Sequence, residues 1–134
     1  MGGRALFLRY WLPVLLYVLL IFTLSSLPGP KIPGPFRWMD KLVHMLEYSL
    51  FGLLVGRAIR FTMIGGGRAA VSIAAIAFGA GVALLDELYQ SLIPGRHSDP
   101  FDWLVDVGAI TAAVVATQVL STRPLGRRAG GPEA

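Results

Sequence analysis

Cysteine is absent from the 134 residues, which excludes disulfides, thiolate metal sites and cysteine nucleophiles. Charge is scarce: Asp, Glu, Lys and Arg make up 15% of the chain, against about 25% in ordinary soluble domains. Only 8 residues are acidic and 2 are histidine. The HExxH, GxSxG and P-loop signatures are missing, so the zinc-protease, α/β-hydrolase and phosphate-loop readings have no motif to stand on. There is no internal repeat and no sign of a second domain. What the chain has in excess is apolar surface, with 54% hydrophobic residues and a mean hydropathy of +0.63.

That excess is gathered into four runs, at 10–27, 40–59, 69–90 and 99–120. A membrane-crossing helix needs roughly 20 residues, and a spanning segment must be helical to satisfy its own backbone groups. The fold class expected is therefore all-α: an integral membrane bundle of four transmembrane helices forming one domain over 1–122. Arg4 and Arg9 precede the first run in the manner of a secretory leader, but Ser25-Ser26-Leu27-Pro28 is a poor small-x-small site. An uncleaved anchor is expected. Pro13 is placed near the start of that helix, where a missing amide donor costs little.

Between the runs, Pro28-Gly29-Pro30-Lys31-Ile32-Pro33-Gly34-Pro35 reads as a stiff extended loop. Gly65-Gly66-Gly67 and Pro94-Gly95 mark two short turns. The tail 123–134, rich in Gly, Pro and Arg, reads as a disordered basic extension.

The net charge of +4 fits arginines at membrane boundaries, not a nucleic-acid surface, and no nucleic-acid partner is expected. With the N-terminus inside, eight cations (Arg4, Arg9, Arg57, Arg60, Arg68, Arg123, Arg127, Arg128) fall on the cytoplasmic side and four (Lys31, Arg37, Lys41, Arg96) outside. The positive-inside rule thus favours a multi-pass cell-membrane protein with both termini cytoplasmic. Trp38 and Trp103 are expected at the outer interface, Tyr10 and Trp11 at the inner one.

This orientation gathers the acids. Asp40, His44 and Glu47 share one face at the outer end of the second helix, with Tyr48 and Lys41 beside them. Asp86, Glu87 and Gln90 end the third helix, and Asp99, Asp102 and Asp106 line one face of the fourth. Arg96 and His97 sit in the turn between. Seven of the 8 acidic residues lie on this side, and the other half of the bundle offers nothing comparable.

Ionisable groups within a span cost about 2.5–3.5 kcal/mol each near its centre on insertion scales, and mark functional sites by default. Glu47 and Asp106 lie too deep for capping or snorkelling. We expect His44 and Glu47 to act as general acid or base, with Glu87, Asp102 and Asp106 completing the catalytic set. Asp102 and Asp106 would orient Arg96 and His44, or hold a metal. Asp40, Lys41, Tyr48, Gln90 and Arg96 form the ligand-binding set, with Arg96 contacting a phosphate or carboxylate. Plainer roles stand beside these: Asp40 and Asp99 as helix caps, Arg96 as an interfacial anchor, His44 as a satisfied interior histidine, the whole cluster as a lock on helix packing. No cofactor is named and no metal assigned, since the di-iron pattern places Glu before His on two helices. Gly52-Leu53-Leu54-Val55-Gly56, and the Ala77/Gly81 pair, read as packing grooves within one chain.

Asp40-Lys41-Leu42-Val43-His44 with Glu47-Tyr48, then Glu87-Leu88-Tyr89-Gln90, Pro94-Gly95-Arg96 and Asp102-Trp103-Leu104-Val105-Asp106 resemble the VanZ-like family, over about residues 39–112. The glycine of that pattern, three residues after Asp106, is Ala109 here. The family takes its name from a membrane protein associated with teicoplanin resistance. The resemblance implies a small multi-spanning membrane protein acting at the outer membrane face. Its implied partners are membrane lipids and an envelope precursor or glycopeptide-related ligand.

Overall fold

The computed structural model describes residues 3–28, 37–96 and 98–121. Most of the proline-rich loop, His97 and the basic tail 123–134 lie outside the described residues, as does the Arg37 side chain.

The described residues form four helices: α1 (Gly3–Ser25), α2 (Arg37–Thr62), α3 (Arg68–Gln90) and α4 (Pro100–Leu120). All four are long and apolar enough to cross a membrane. The shortest has 21 residues, about 31 Å at 1.5 Å per residue, and the hydrocarbon core is about 30 Å thick. Leu15, Leu19, Leu46, Ile73, Leu85 and Leu104 are among the many large apolar side chains left exposed, as helices bathed in lipid require.

The helices outrun the apolar runs. α1 begins at Gly3, well before Tyr10, because Arg4, Ala5, Leu6 and Arg9 are good helix formers even where they are not apolar. Pro13 is consequently inside α1, not at its start, and the Arg9 carbonyl loses its usual amide partner. α2 likewise starts at Arg37, so Asp40 occupies the first turn, where a negative charge suits the helix dipole, and does not cap it. Asp99 is the N-cap of α4: its side chain accepts the Phe101 amide at 2.9 Å, with Pro100 in the first helical position. The two short connections turn on Gly65 and Gly95, with φ of 86° and 83°, angles that favour glycine.

α2 and α4 form the most extensive pair, α3 packs on both, and α1 lies in the angle between α2 and α3. Among the described residues α1 and α4 do not pack on one another. The core is built from Tyr48, Phe51, Val55 and Ala58 of α2, Ala75 and Ala83 of α3, Ile110 and Val114 of α4, and Val14 and Ile21 of α1.

Glycine sets the closest approach. A Cβ on Gly52 would stand 2.9 Å from Ile110 Cα and from Ala113 Cβ, and one on Gly56 would stand 2.8 Å from Thr117 Oγ1. The α2 glycine pair is therefore a groove for α4 of the same chain. The Ala77/Gly81 reading is corrected: Ala77 and Gly81 are exposed, with nothing near a Gly81 Cβ. The buried seam of α3 is Val71, Ala75, Gly79 and Ala83 instead, and Gly79 admits the Ile110 side chain. Ala109 is buried in the core, while Gly108 faces open space.

Candidate functional site

The antiparallel order of the four helices brings Ser25, Asp40, Gln90 and Asp102 to one end of the bundle. Inside that end lies a buried polar network. His44, Asp86, Glu87, Gln90 and Asp106 are each at most 7% exposed, and Tyr48 is fully buried.

Its first branch joins α2 to α4. His44 Nδ1 lies 3.2 Å from Asp106 Oδ1 and 3.4 Å from Oδ2. A carboxylate only accepts, so against an ionised Asp106 it is Nδ1 that carries a proton, and Nε2 is the ring's other position. The His44 ring is stacked near Tyr48, 14° from parallel at 6.3 Å between centroids, which fixes its plane. Closer to the end of the bundle, Lys41 pairs with Asp102 and lies 3.7 Å from Asp99 Oδ2.

The second branch joins α1, α2 and α3. Tyr48 donates its hydroxyl to Asp86 Oδ2 at 3.0 Å, and Gln90 Nε2 donates to the same oxygen at 2.9 Å. Gln90 Nε2 is also 3.2 Å from Ser25 Oγ. Tyr17 of α1 donates to the Glu47 carbonyl at 3.0 Å, and Ser26 Oγ and the Tyr89 hydroxyl are 2.8 Å apart. Glu87 Oε1 accepts the Asp99 amide and so ties α3 to the start of α4.

Arg96 does something other than expected. Its Nε donates to the Leu27 carbonyl at 2.9 Å, Nη2 to the Leu24 carbonyl at 3.1 Å and Nη1 to Gln90 Oε1 at 3.2 Å. It donates to two carbonyls at the C-terminus of α1, where a cation also suits the dipole; that of Leu24 accepts the Leu27 amide as well, at 3.1 Å. The expectation that Asp102 and Asp106 orient Arg96 is thus corrected: Asp106 holds His44, Asp102 holds Lys41, and neither holds Arg96. Among the described residues, two of the five guanidinium N–H groups are left over.

Two carboxylates are incompletely satisfied. Among the described residues, Glu47 Oε1 and Asp86 Oδ1 are buried with no hydrogen-bond partner. Native interiors leave few such atoms, and each calls for an explanation. Asp40, by contrast, is exposed and forms no hydrogen bond or ion pair among the described residues.

Of the ten expected site residues, His44, Glu47, Tyr48, Glu87, Gln90 and Asp106 converge on the buried network. Lys41 and Asp102 form its outer rim, Arg96 bridges to α1, and Asp40 stands outside. Sequence reasoning under-weighted Asp86, which is more deeply buried than Glu87, and missed the α1 contribution from Tyr17, Ser25 and Ser26. The one available signal was the Ser25-Ser26 pair closing an otherwise apolar helix. Trp103, in the first turn of α4, donates its Nε1 hydrogen to the Ala80 carbonyl at 3.2 Å. Among the described residues no three His, Asp or Glu side chains are grouped as metal ligands.

A family model described as VanZ/LLP1 matches residues 5–121. The chain belongs to the VanZ/LLP1 family. The match takes in all four helices, including α1, which lies outside the motif segments. No curated protein and no solved structure matches the chain. In this VanZ/LLP1 chain every motif segment (Asp40 to Tyr48, Glu87 to Gln90, Pro94 to Arg96, Asp102 to Asp106) maps to the polar end, and most of their polar side chains enter the network.

Proposed function

We propose that this VanZ-like membrane protein binds or acts on a lipid or cell-envelope precursor through the polar end of its bundle, which faces the outside of the cell membrane. The observation that carries the reading is the pair of buried oxygens on Glu47 and Asp86 that have no partner among the described residues, beside an imidazole oriented by Asp106. A network whose only task was to lock helices would be served best by full satisfaction.

The chemistry follows from the residues. His44, held at Nδ1, has Nε2 available to take or give a proton, in the arrangement by which a carboxylate orients a histidine base. Glu47 lies one turn deeper on the same face and serves as a second proton site. Lys41 and the two spare N–H groups of Arg96 supply charge for a phosphate or carboxylate of the ligand. A role in glycopeptide (teicoplanin) resistance is the finer reading that the family name suggests.

The outward direction is supported by asymmetry. Arg4, Arg9, Arg57, Arg60 and Arg68 lie at the opposite end, against Lys41 and Arg96 among the described side chains of the polar end. Both termini would then be cytoplasmic.

The deciding experiment incubates the purified chain with polyprenyl-phosphate lipids and lipid-linked envelope precursors and measures binding and turnover. Wild type should bind, His44→Gln and Asp106→Asn should lose binding or turnover by at least tenfold, about 1.4 kcal/mol, and their helical content should be unchanged. Binding or turnover that is absent, or indifferent to His44, sinks the proposal.

A second reading has its own support. Arg96 on the α1 carbonyls and the Tyr48–Asp86–Gln90–Ser25 chain together fasten three helices, as a purely structural lock would. On that reading Asp106→Asn and Arg96→Ala lower abundance and thermal stability in step with any loss of phenotype.

A further inference from the structure

The other end of the bundle holds a cleft that the reading above does not use. It offers about 530 Å³ of space between the start of α1, the end of α2, the start of α3 and the end of α4. Arg57, Arg60 and Arg68 line it, together with Tyr10 and Gln118, and no acidic side chain among the described residues does. Among the described residues none of these three arginines forms a salt bridge. The Arg57 guanidinium instead lies 4.9 Å from the centre of the Tyr10 ring, which is itself stacked on Phe61 at 4.2 Å. Three like charges around one space repel one another unless an anion sits among them.

Two further observations point to the same ligand chemistry. Gln118 is 7% exposed. Its Oε1 accepts from Arg60 Nη1 at 3.5 Å, so the amide orientation is set by a cation, and Nε2 must be the donor. That Nε2 is buried with no partner among the described residues. In addition, α3 begins at this cleft, and its N-cap, Gly67, offers no side-chain acceptor to the first amides. An uncapped helix N-terminus beside cations and an unused amide donor is a place for an anion.

We propose that this cleft binds a phosphate group. Arg57, Arg60 and Arg68 supply the charge, and the Gln118 amide and the first turn of α3 supply donors. Phosphate fits better than carboxylate because it presents more oxygens and more charge to donors arriving from several helices. The phosphate is carried by a membrane lipid or by a soluble ester. The apolar rim of Met63 and Ile64, with Ile64 81% exposed, suits an acyl chain leaving the cleft along the bundle. The site lies at the end opposite His44 and does not depend on the function proposed there.

The test uses the full chain in detergent, with native mass spectrometry and thermal shift as readouts. The probes are phosphatidylglycerol, diacylglycerol as the phosphate-free control, and glycerol 3-phosphate. Phosphatidylglycerol should be retained over diacylglycerol. The Arg60→Gln/Arg68→Gln double variant and Gln118→Glu should each bind about tenfold more weakly, the loss of one or two charge-assisted hydrogen bonds. Arg4→Gln, at the same end but outside the cleft, should bind as wild type does. Competition by glycerol 3-phosphate identifies a soluble ester, and its absence a lipid; both support the phosphate site. Equal retention of the two lipids with no response to glycerol 3-phosphate overturns it, as does an equal loss in Arg4→Gln. Arg60 and Arg68 are exposed, so the double variant decides the matter even if Gln118→Glu does not fold.

Discussion

Arg96 donates its Nε hydrogen to the carbonyl of Leu27 at 2.9 Å, across 69 positions of chain. The contact lets the α3–α4 turn close the end of α1, a helix that α4 itself does not reach. Three hydrogen bonds in a fixed fork depend on the planar guanidinium. Arg96→Lys should therefore lose about 1–2 kcal/mol of stability, seen as a lower melting temperature in detergent. Truncated Arg96→Ala should lose at least as much. A lysine variant as stable as wild type would show that these carbonyls find water equally well.

Glu47 makes the opposite prediction. Its Oε1 is buried without a partner among the described residues, and leaving a buried polar atom unsatisfied costs about 1–3 kcal/mol. Glu47→Gln removes the charge while keeping the shape. It should hold or raise the melting temperature while lowering ligand binding, the trade-off expected where a site is kept at the expense of stability. A marked fall in melting temperature would place Glu47 among the structural groups of the network.

Gly52 and Gly81 separate contact from composition. Gly52→Ala drives a methyl against the Ile110 backbone at 2.9 Å, where no side chain can rotate away, and should destabilise by about 1–3 kcal/mol through overpacking. Gly81→Ala meets nothing within 4 Å and should be neutral or slightly stabilising, since alanine favours the helix. Thermal unfolding of the two variants side by side checks both.

The absence of cysteine makes the membrane orientation simple to measure. Leu92 and Ile64 are 76% and 81% exposed in the turns at opposite ends of the bundle. If the polar end faces out, Leu92→Cys should react with a membrane-impermeant maleimide in intact cells. Ile64→Cys should react only after permeabilisation. The reverse pattern would turn the protein over and place the His44 network inside.

Much of the architecture was legible because hydropathy is a local property. Four apolar runs gave four helices, and the i, i+4, i+7 spacing of Asp40, His44 and Glu47 put His44 and Glu47 on the inner face of α2. The helix ends were less legible, since helix propensity and lipid solubility are different quantities: Arg4 and Arg9 favour helix while resisting lipid. The partner of Arg96 was not legible at all. Every residue has a carbonyl, and nothing in Leu24 or Leu27 marks theirs as the ones a distant arginine will meet. The basic cleft was missed for a related reason. Arg57, Arg60 and Arg68 read as boundary charges along the chain, and their convergence around Gln118 depends on how α2, α3 and α4 are rotated.

The sequence by itself determined that this chain is four apolar helices, with its acids segregated to one end and its arginines concentrated at the other. Burial cost and helical period suffice for that, because both act within a single helix. Only the tertiary structure decided which side chains pair. It gave His44 to Asp106, Lys41 to Asp102, Tyr48 to Asp86 and Arg96 to the end of α1, and among the described residues it left Glu47, Asp86 and Gln118 each with an unpaired atom. Those pairings depend on helix rotation and crossing, which are set far from the polar residues, where Gly52 lets α2 settle against Ile110.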